Sequence, residues 1–482
     1  MKKSNSILNK FLSISIGSWV ALIIGFISTP IATRLISPDQ FGKVSMFLLA
    51  AEILGAVALL GADQSFNRFF YEEEEDKRKY LLLICLKLSM LAFAILSIGV
   101  LIFYKDISNF IFSYVSFWLV LLLVLYALLR IINTYASVVV RMQQKGKVFS
   151  FKLILSKSLE FAGILMFAFF LGNQFEVIIY AYMFSMAVVS IVIIGVEHKF
   201  WNFFKKGSIK IKSHSSDILK YGVPLMVTLL MTMLFESIDR IAIKQWSNYT
   251  EIGLYSAAFK IVTILNTLQL NFTAFWVPLS YEKFKENPNN TKFFKDMQVV
   301  VSYAMLIIAV LVVMFKDVIV LMLGSEYGGA AQIMPFLVFV PVLYTISEVT
   351  VVGINFYKKT KLHILIVALV CLCGVIGNLL LVPYIGATGA AISTGLSYIV
   401  FFSLRTYFSL RYFKVSYKLF QLYASIALLV GYAFYATFVK DIWSSFFIGV
   451  VLLIVISVMY RGTVKMMWQK SMGIVRSFSR KG

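Results

Sequence analysis

Charged residues are scarce in this chain of 482 residues. They make up 14% of the sequence, and Asp and Glu together number 23. A soluble domain carries about 25% charged residues, so the composition excludes a large soluble core. Hydrophobic residues reach 60% instead, which is typical of a chain that is surrounded mainly by lipid.

Cysteine and histidine are also sparse, with three of each. Cys85, Cys371 and Cys373 lie in apolar runs, and no histidine is near enough in sequence to complete a zinc site. We expect these cysteines to be small apolar core residues, and their number excludes a disulfide framework. The histidines lack the spacing of a catalytic triad, and no Gly-x-x-x-x-Gly-Lys loop is present. The sequence therefore predicts no cofactor, no metal and no ATP hydrolysis.

Long apolar runs fill most of the chain. Each is long enough to cross a bilayer, which takes about 20 apolar residues per helix. Only helices and closed barrels satisfy every backbone group in lipid, and the runs lack the alternation of barrel strands. The sequence thus predicts an all-α membrane protein with about 14 transmembrane helices. The predicted spans are 11–33, 42–62, 80–103, 115–140, 148–171, 176–196, 218–241, 252–278, 297–316, 331–352, 363–382, 386–408, 419–439 and 444–460.

Lys and Arg are distributed unevenly among the connecting segments. Of 45 such residues, 35 fall in alternate segments, which include 141–157 and 405–418, and six fall in the others. Cytoplasmic loops are enriched in Lys and Arg, so both termini are predicted to be cytoplasmic. The net charge of +22 then reflects orientation in the membrane rather than nucleic-acid binding, which needs a basic soluble face.

A short internal repeat indicates two halves. Residues 38–45 enter the second span and residues 249–256 enter the eighth, with Gly aligned on Gly and Ser on Ser. Each half then has six spans and starts on the same side of the membrane, as in parallel-repeat transporters. We predict two pseudo-symmetric six-helix halves, 1–200 and 218–410, joined by a linker, 201–217, and followed by a helix pair with a basic tail, 411–482.

A few ionisable residues lie inside the predicted spans, and they are the residues most informative about function. Each costs about 2.5–3.5 kcal/mol on insertion scales and usually faces a partner or a water-filled cavity. Arg130, for example, lies 11 residues from Arg141, or about 16 Å at 1.5 Å per residue. The basic residues at such depth are Lys87, Arg130, Arg240 and Lys260, and the acidic ones are Glu52, Glu160, Glu236, Asp239 and Glu348.

These charges allow two interpretations. They form salt bridges between helices, for instance Lys87 or Arg130 with Glu52 or Glu160. Alternatively, they line a cationic lumen that receives an anionic head group, because an Arg charge in a weakly screened cavity attracts phosphate strongly. The candidate lumen residues are the cations Arg130, Lys87, Lys260 and Arg240, and the polar or acidic residues Glu52, Glu160, Asn133, Asn266 and Glu348.

Two other charged segments and one proline pair have simpler interpretations, which for Arg240 stand beside its candidacy as a lumen cation. The acidic run 72–76 precedes three basic residues and is expected to form a solvated, self-neutralising loop. Asp239 and Arg240 lie near an outer end, where an exposed or interhelical pair is expected. Pro335 and Pro341 are predicted to loosen or kink the tenth span.

Four blocks of the sequence, 31–42, 217–225, 237–240 and 252–260, carry a resemblance to a known family. They resemble bacterial polysaccharide biosynthesis flippases of the O-antigen, or Wzx, type. Residues 31–42 (Ile-Ala-Thr-Arg-Leu-Ile-Ser-Pro-Asp-Gln-Phe-Gly) resemble the first-loop signature of that family. Residues 217–225, 237–240 and 252–260 resemble, in that order, the start of its second half. The resemblance implies the multidrug/oligosaccharidyl-lipid/polysaccharide exporter fold. It also implies movement of undecaprenyl-pyrophosphate-linked oligosaccharide repeat units across the bacterial cytoplasmic membrane.

Alternatives within and outside this superfamily remain open. The drug-exporter branch commonly places an acidic residue in its first helix, and 11–33 contains none. A lipid II-type flippase and a cation-coupled small-molecule exporter are the nearer alternatives, and a membrane glycan polymerase is the more distant one. We predict an alternating-access flippase and not an enzyme. Its expected partners are the lipid-linked glycan, the bilayer, a coupling ion (Na+ or H+) and a polysaccharide polymerase, with no nucleic acid.

Overall fold

The computed structural model describes residues 2–203 and 211–465, with side chains from residue 17 onward except at 235–236. These residues form helices and short turns, without a strand among them. The chain divides into two compact units, Met1–Ile238 and Asp239–Gly482. It is a multi-pass membrane protein of the predicted all-helical class. The predicted boundaries of the halves stay predictions, and positions 204–210 of the linker and 466–482 of the basic tail lie outside the described residues.

The helices of the first unit are numbered α1 to α10 in chain order, and the unit ends within α10. They are α1 (Lys2–Leu35), α2 (Pro38–Leu59), α3 (Ala62–Phe69), α4 (Arg78–Ile102), α5 (Tyr104–Phe112), α6 (Phe117–Met142), α7 (Gly146–Leu171), α8 (Glu176–Val196), α9 (His198–Trp201) and α10 (Ser215–Trp246). A short 3-10 turn, Glu75–Lys77, precedes α4. In this unit α7 packs against α1 and α8, and α6 packs against α2, α4 and α8.

The second unit contains α11 to α19. They are α11 (Tyr249–Glu286), α12 (Thr291–Met314), α13 (Lys316–Val320), α14 (Ala330–Leu337), α15 (Phe339–Thr350), α16 (Val352–Phe356), α17 (Lys361–Tyr412), α18 (Leu419–Phe438) and α19 (Ile442–Met459). Another 3-10 turn, Ser325–Tyr327, precedes α14. The core of this unit is the α14–α15 segment, which is almost wholly buried against α11, α12, α17 and α18.

Fewer helices qualify as membrane spans by length and composition than the fourteen that the sequence predicts. Twelve helices in the described residues are long and apolar enough to cross a membrane. Two predicted spans, 363–382 and 386–408, both fall in α17, and the predicted span 252–278 falls in α11, which is not among the twelve. The count of fourteen therefore stays a prediction.

The repeated segments begin their helices in the same way. Ser37 precedes α2 and accepts a hydrogen bond from the N–H of Gln40 at 3.4 Å. Asn248 precedes α11 and accepts one from the N–H of Glu251 at 2.9 Å. Both caps satisfy one of the four N–H groups that the start of a helix leaves without a partner. The aligned segments thus share a capping geometry as well as a sequence pattern.

Two prolines break the tenth predicted span into α14 and α15. Proline lacks an N–H and clashes with the carbonyl four residues before it, so it interrupts a helix. Pro335 lies in α14 and Pro341 in α15, and the two helices separate at Val338. The hydroxyl of Thr345 donates to the carbonyl of Pro341 at 2.6 Å. The tenth predicted span is therefore interrupted between its two prolines, which agrees with the predicted loosening of this helix.

A glycine interrupts α17 where the predicted spans eleven and twelve meet. Gly386 has φ +53° and ψ −134°, which residues with a side chain rarely adopt. The next N–H, of Ala387, donates to Glu251 Oε2 at 2.9 Å. A carboxylate from α11 therefore caps the helix that restarts after the break, and it complements the positive end of that helix.

Gly386→Ala is expected to destabilise the second unit by about 1–3 kcal/mol, the range for a residue forced into a sparsely populated backbone conformation. An added Cβ would also lie 2.9 Å from Glu251 Oε2, so the cap would have to move. Thermal unfolding of the detergent-purified variant measures the loss. Gly431→Ala is the matched control, because nothing lies within 4 Å of its added Cβ. An equal change in both variants would contradict the assignment.

The acidic run 72–76 is only partly the solvated loop that the sequence predicts. Glu73 is 2% exposed. Its carboxylate accepts hydrogen bonds from the N–H of Lys212 at 3.2 Å and from the N–H and hydroxyl of Ser213 at 2.8 and 2.9 Å. The correction has a physical reason, because a buried carboxylate is tolerated when several donors surround it. Glu73 thus fixes the loop before α4 to the chain before α10.

Candidate functional site

A polar stripe runs along α6 from its middle to its C-terminal end. Arg130, Asn133, Thr134, Ser137 and Arg141 are spaced three, four, seven and eleven residues from the first, which places them on one helix face. None of the five is buried, although the rest of α6 is rich in Leu and Val. A polar and partly open face on a membrane helix indicates a wall of a water-accessible cavity.

Arg130 is held by a carboxylate on the neighbouring α2. Its Nη1 lies 3.0 Å from Glu52 Oε1, and the two side chains are 27% and 47% exposed. Gly55, one turn further along α2, leaves room for the arginine, because an added Cβ would lie 3.0 Å from Arg130 Cδ. The pair is one of the salt bridges that the sequence predicts, and both groups remain open to a ligand.

A second ion pair lies on α7, which faces α6 across a short connection. Lys157 Nζ lies 2.6 Å from Glu160 Oε2, and the hydroxyl of Ser156 donates to Glu160 Oε1 at 3.3 Å. Lys157 is 11 residues from the start of α7 at Gly146, or about 16 Å. It therefore lies at a depth similar to that of Arg130.

Sequence reasoning missed two cations of α7. The sequence counts Lys152 and Lys157 with the connecting segment 141–157, although the predicted span 148–171 overlaps it; α7 begins at Gly146 and contains both. The helix continues through both lysines because a lysine does not interrupt a helix whose other faces pack against neighbouring helices. The signal available in the sequence was the four-residue spacing of Lys152, Ser156 and Glu160, which places the three on one face.

These side chains act on one another as a group. Tyr126 on α6 lies within electrostatic range of Arg130, Glu52 and Glu160, and Lys152 lies within range of Glu160, Lys157 and Arg141. We call this group the basic cluster; its members are Glu52, Arg130, Arg141, Lys152, Lys157 and Glu160. Four cations face two carboxylates, so the cluster carries two positive charges in excess.

Neutral groups complete the cluster. The amide of Asn133 donates to the hydroxyl of Ser190 on α8 at 3.2 Å. The hydroxyl of Ser185, also on α8, donates to the carbonyl of Ser156 at 2.8 Å. These bonds fix α8 to α6 and α7, so three helices hold the cations in place.

Asp63 lies near the end of the polar stripe, in α3. It is buried, and Arg141 is within electrostatic range. Burial raises the pKa of the Asp63 carboxyl, while donation from the Gln64 side chain at 2.7 Å opposes the rise. Arg141 is thus the member of the cluster that lies beside a buried acid.

Lys87 does not join the basic cluster. It lies on the exposed face of α4 with Leu91, Ile95 and Ile98, which are about 60% exposed. No ion pair or hydrogen bond connects it to another part of the chain that the structure describes. A lysine on an apolar, exposed membrane face extends its ammonium group to the interface, so its position favours an anchoring role.

In the second unit, Glu348 belongs to a buried ion pair. Its Oε1 lies 2.8 Å from Arg405 Nη2, and both side chains are 7% exposed. The guanidinium also lies over the rings of Tyr344 and Phe401, at 5.2 and 5.0 Å. The sequence counts Arg405 with the connecting segment 405–418, which overlaps the predicted span 386–408; the structure places it inside α17, which continues to Tyr412. The enclosure of both groups favours a structural role for this pair, and the role of Glu348 in the lumen stays a prediction.

Asp239 is buried and connects three helices. Its carboxylate accepts hydrogen bonds from Tyr255 on α11, and from Asn378 at 2.7 Å and Thr394 on the two parts of α17. Asn378 Oδ1 is buried without a hydrogen-bond partner in the described chain. Of the two expectations for Asp239, the exposed one is wrong, since Asp239 is 4% exposed. Its hydrogen bonds are interhelical, but they are to neutral groups and not to Arg240.

The remaining candidates of the second unit lie on α10 and α11. Arg240 is partly exposed and lies within electrostatic range of Asp239. Lys260 is partly exposed, and its carbonyl accepts from the Thr263 hydroxyl at 2.6 Å. Asn266 is partly exposed on the same helix. Their roles as substrate ligands stay predictions.

Comparison with known proteins gives a family match. A family model described as polysaccharide biosynthesis protein matches residues 7–284. An uncharacterized membrane protein of Methanocaldococcus jannaschii is 24% identical over 231 residues, which cover 46% of this chain and 45% of that protein. The chain therefore matches a little under half the length of this curated relative.

Solved structures give a fold match. A lipid II flippase, MurJ, in an inward closed conformation aligns with a TM-score of 0.68 at 16% identity, covering 94% of this chain and 99% of that one. An inward-facing multidrug resistance transporter of the MATE family aligns with a TM-score of 0.63 at 14% identity, covering 80% and 93%. Because both sequence identities are low, these alignments establish the fold of this chain alone.

Proposed function

Since this chain belongs to the polysaccharide biosynthesis protein family, we propose that it is a flippase and not an enzyme. Its substrate is an oligosaccharide repeat unit linked to undecaprenyl pyrophosphate, which it moves across the bacterial cytoplasmic membrane for the assembly of surface polysaccharide. Both termini lie on the cytoplasmic side, and a polysaccharide polymerase takes up the product. The fold shared with a flippase and with exporters supports a transport role.

The basic cluster is the observation that carries the proposal. Pyrophosphate has two adjacent anionic groups, and Arg130 and Lys157 lie at similar depth on neighbouring helices. Charge-assisted hydrogen bonds from such cations are roughly twice as strong as neutral ones. The two excess positive charges of the cluster attract an anion to a depth where water screens weakly.

Glu52 and Glu160 give the cluster a resting state. Each carboxylate holds one cation in the absence of substrate, at 3.0 and 2.6 Å. An incoming pyrophosphate replaces both carboxylates as the acceptor, so the cations exchange partners instead of losing them. This exchange keeps binding reversible, which a carrier needs in order to release its cargo. Arg141 and Lys152, nearer the predicted cytoplasmic end, meet the head group first.

Transport then proceeds by alternating access between the two units, with the lipid tail remaining in the bilayer. We place the coupling cation, Na+ or H+, at Asp239. The residues fit such a cation, because a buried carboxylate lies beside a hydroxyl and beside an amide oxygen without a partner. Oxygen ligands of this kind suit a hard cation.

The assay is flipping in proteoliposomes that contain the purified protein and the lipid-linked oligosaccharide. We expect an impermeant glycosidase to reach glycan that starts on the inaccessible leaflet, at a rate that an ion gradient raises. Asp239→Asn should remove the dependence on the gradient while leaving downhill exchange. If Na+ alone protects the wild-type protein against unfolding and fails to protect the variant, the ion is sodium.

Two results would support the alternatives instead. Gradient-driven efflux of cationic dyes without glycan flipping would identify a small-molecule exporter. Polymer formation from the lipid-linked sugar in detergent, where no leaflets exist, would identify a polymerase. Equal flipping of lipid II and of the repeat unit would extend the substrate class to other undecaprenyl-pyrophosphate glycans.

A further inference from the structure

A polar cavity of about 900 Å³ lies in the first unit, apart from the residues assigned to transport. The start of α4, the end of α6 and the end of α8 all meet at it. Tyr80, Gln143 and Val196 line it from these three helices. Its volume is within the range of about 300–1,000 Å³ that is usual for small-molecule sites.

The ends of three membrane helices place this cavity at the level of the lipid head groups. Met142 ends α6, Val196 ends α8, and Arg78 begins α4. Aromatic side chains, Tyr80 and Phe200, are part of its wall, as is usual for surfaces at a membrane interface. A phospholipid head group can therefore reach the cavity from the surrounding leaflet without leaving the bilayer.

The cavity contains both satisfied and unsatisfied polar groups. Lys145 Nζ lies 2.7 Å from each carboxylate oxygen of the buried Glu197, so this pair is neutral. Asp76 and Lys199 are exposed, and neither has a partner in the part of the chain that the structure describes. Gln143 Nε2 is a buried donor without an acceptor. A buried donor without an acceptor is energetically unfavourable, and a ligand oxygen would supply the missing acceptor.

We propose that this cavity binds the head group of a zwitterionic phospholipid, phosphoethanolamine. The phosphate accepts hydrogen bonds from Gln143 Nε2 and Lys199, and the ammonium group pairs with Asp76. The lining charges suit a zwitterion, because both signs remain after the ion pairs are set aside. Lys145 is paired with Glu197, Lys77 with Glu74 and Glu75 with Arg78, which leaves Asp76 beside Lys79 and Lys199. The site thus differs from the basic cluster, where cations outnumber carboxylates two to one. The proposal does not depend on the transported substrate.

Lipid binding to the full-length protein in detergent micelles tests the proposal. Phosphatidylethanolamine, phosphatidylglycerol and phosphatidylcholine of equal chain length are titrated, and native mass spectrometry gives the apparent Kd of each. We expect phosphatidylethanolamine to bind about tenfold more tightly than the other two, because only its head group is both a cation and a hydrogen-bond donor toward Asp76. The choline group has no N–H, and the glycerol group of phosphatidylglycerol has hydroxyl donors but no positive charge. Tighter binding of phosphatidylglycerol would overturn the zwitterion assignment in favour of an anion site.

Two variants separate the two ends of the head group. Asp76→Asn should weaken phosphatidylethanolamine about tenfold, to the level of phosphatidylglycerol, and leave phosphatidylglycerol unchanged. Lys199→Gln should weaken both lipids, because both have the phosphate. Lys147→Gln is the matched control, since Lys147 is exposed at the start of α7 and does not line the cavity. Equal binding of all three lipids to every variant would show non-specific association and overturn the site.

Discussion

Arg130→Ala is expected to reduce glycan flipping at least about tenfold at matched protein level. The reason is that a hydrogen bond to a charged group is worth about 1.5–3 kcal/mol, and each 1.4 kcal/mol changes an equilibrium tenfold. Arg130 is partly open, at 27% exposure, and only one carboxylate holds it. Surface glycan in cells and glycan flipping in proteoliposomes both measure the effect.

Two controls separate a substrate ligand from half of a salt bridge. If the Arg130–Glu52 pair were only structural, Glu52→Gln would reduce flipping as much as Arg130→Ala. We expect Glu52→Gln to retain flipping, because the cation remains available. Lys87→Ala should also retain it, since Lys87 lies on the exposed apolar face of α4. Equal losses in all three variants would argue against the basic cluster as the substrate site.

Arg405→Met is expected to destabilise the second unit by about 3–5 kcal/mol, the range for removing one partner of a buried ion pair. The loss leaves Glu348, at 7% exposure, without its 2.8 Å partner in a low-dielectric interior. It also removes the donor to Ser347 and the cation above two aromatic rings. Thermal unfolding in detergent and the yield of folded protein measure the effect.

The double variant Glu348→Gln with Arg405→Met tests the cause. Neutralising the orphaned acid should restore a large part of the lost stability, because the penalty belongs to the unpaired charge. Arg411→Met is the positional control, since Arg411 lies in the same helix but is exposed. A double variant as unstable as the single one would show that packing of the guanidinium, not the charge pair, stabilises this region.

The sequence predicts the all-helical fold from local rules, and it limits the partner of Arg130 to Glu52 or Glu160 without choosing between them. Apolar runs predict helices wherever lipid is the solvent, and an arginine about 16 Å deep needs a partner, which Glu52 supplies. The capping of α2 by Ser37 and of α11 by Asn248 agrees with the alignment of the two repeated segments. These features depend on residues that are close in sequence or constrained by the membrane.

The long-range contacts of the candidate site could not be predicted from the sequence, because they depend on which helices pack together. Arg405 is counted with a connecting segment, since a positive charge at the end of an apolar run usually marks the interface. Its carboxylate partner, Glu348, is 57 residues away. Asp239 likewise has acceptor bonds to residues up to 155 positions distant. No spacing rule connects such residues, so only the packed structure identifies the partners.

The two ion pairs of the basic cluster affect which free anions can compete with the substrate for its cations. Glu52 and Glu160 are tethered beside their cations, so each acts at an effective concentration in the millimolar range. A free anion with one charged group must outcompete a tethered carboxylate at every cation, whereas a pyrophosphate engages two cations in a single binding event. The cluster therefore favours an anion with two charged groups over an anion with one. Cytosolic orthophosphate is a poor competitor for the wild-type cluster, and it competes better in the Glu52→Gln variant, which lacks one of the two carboxylates.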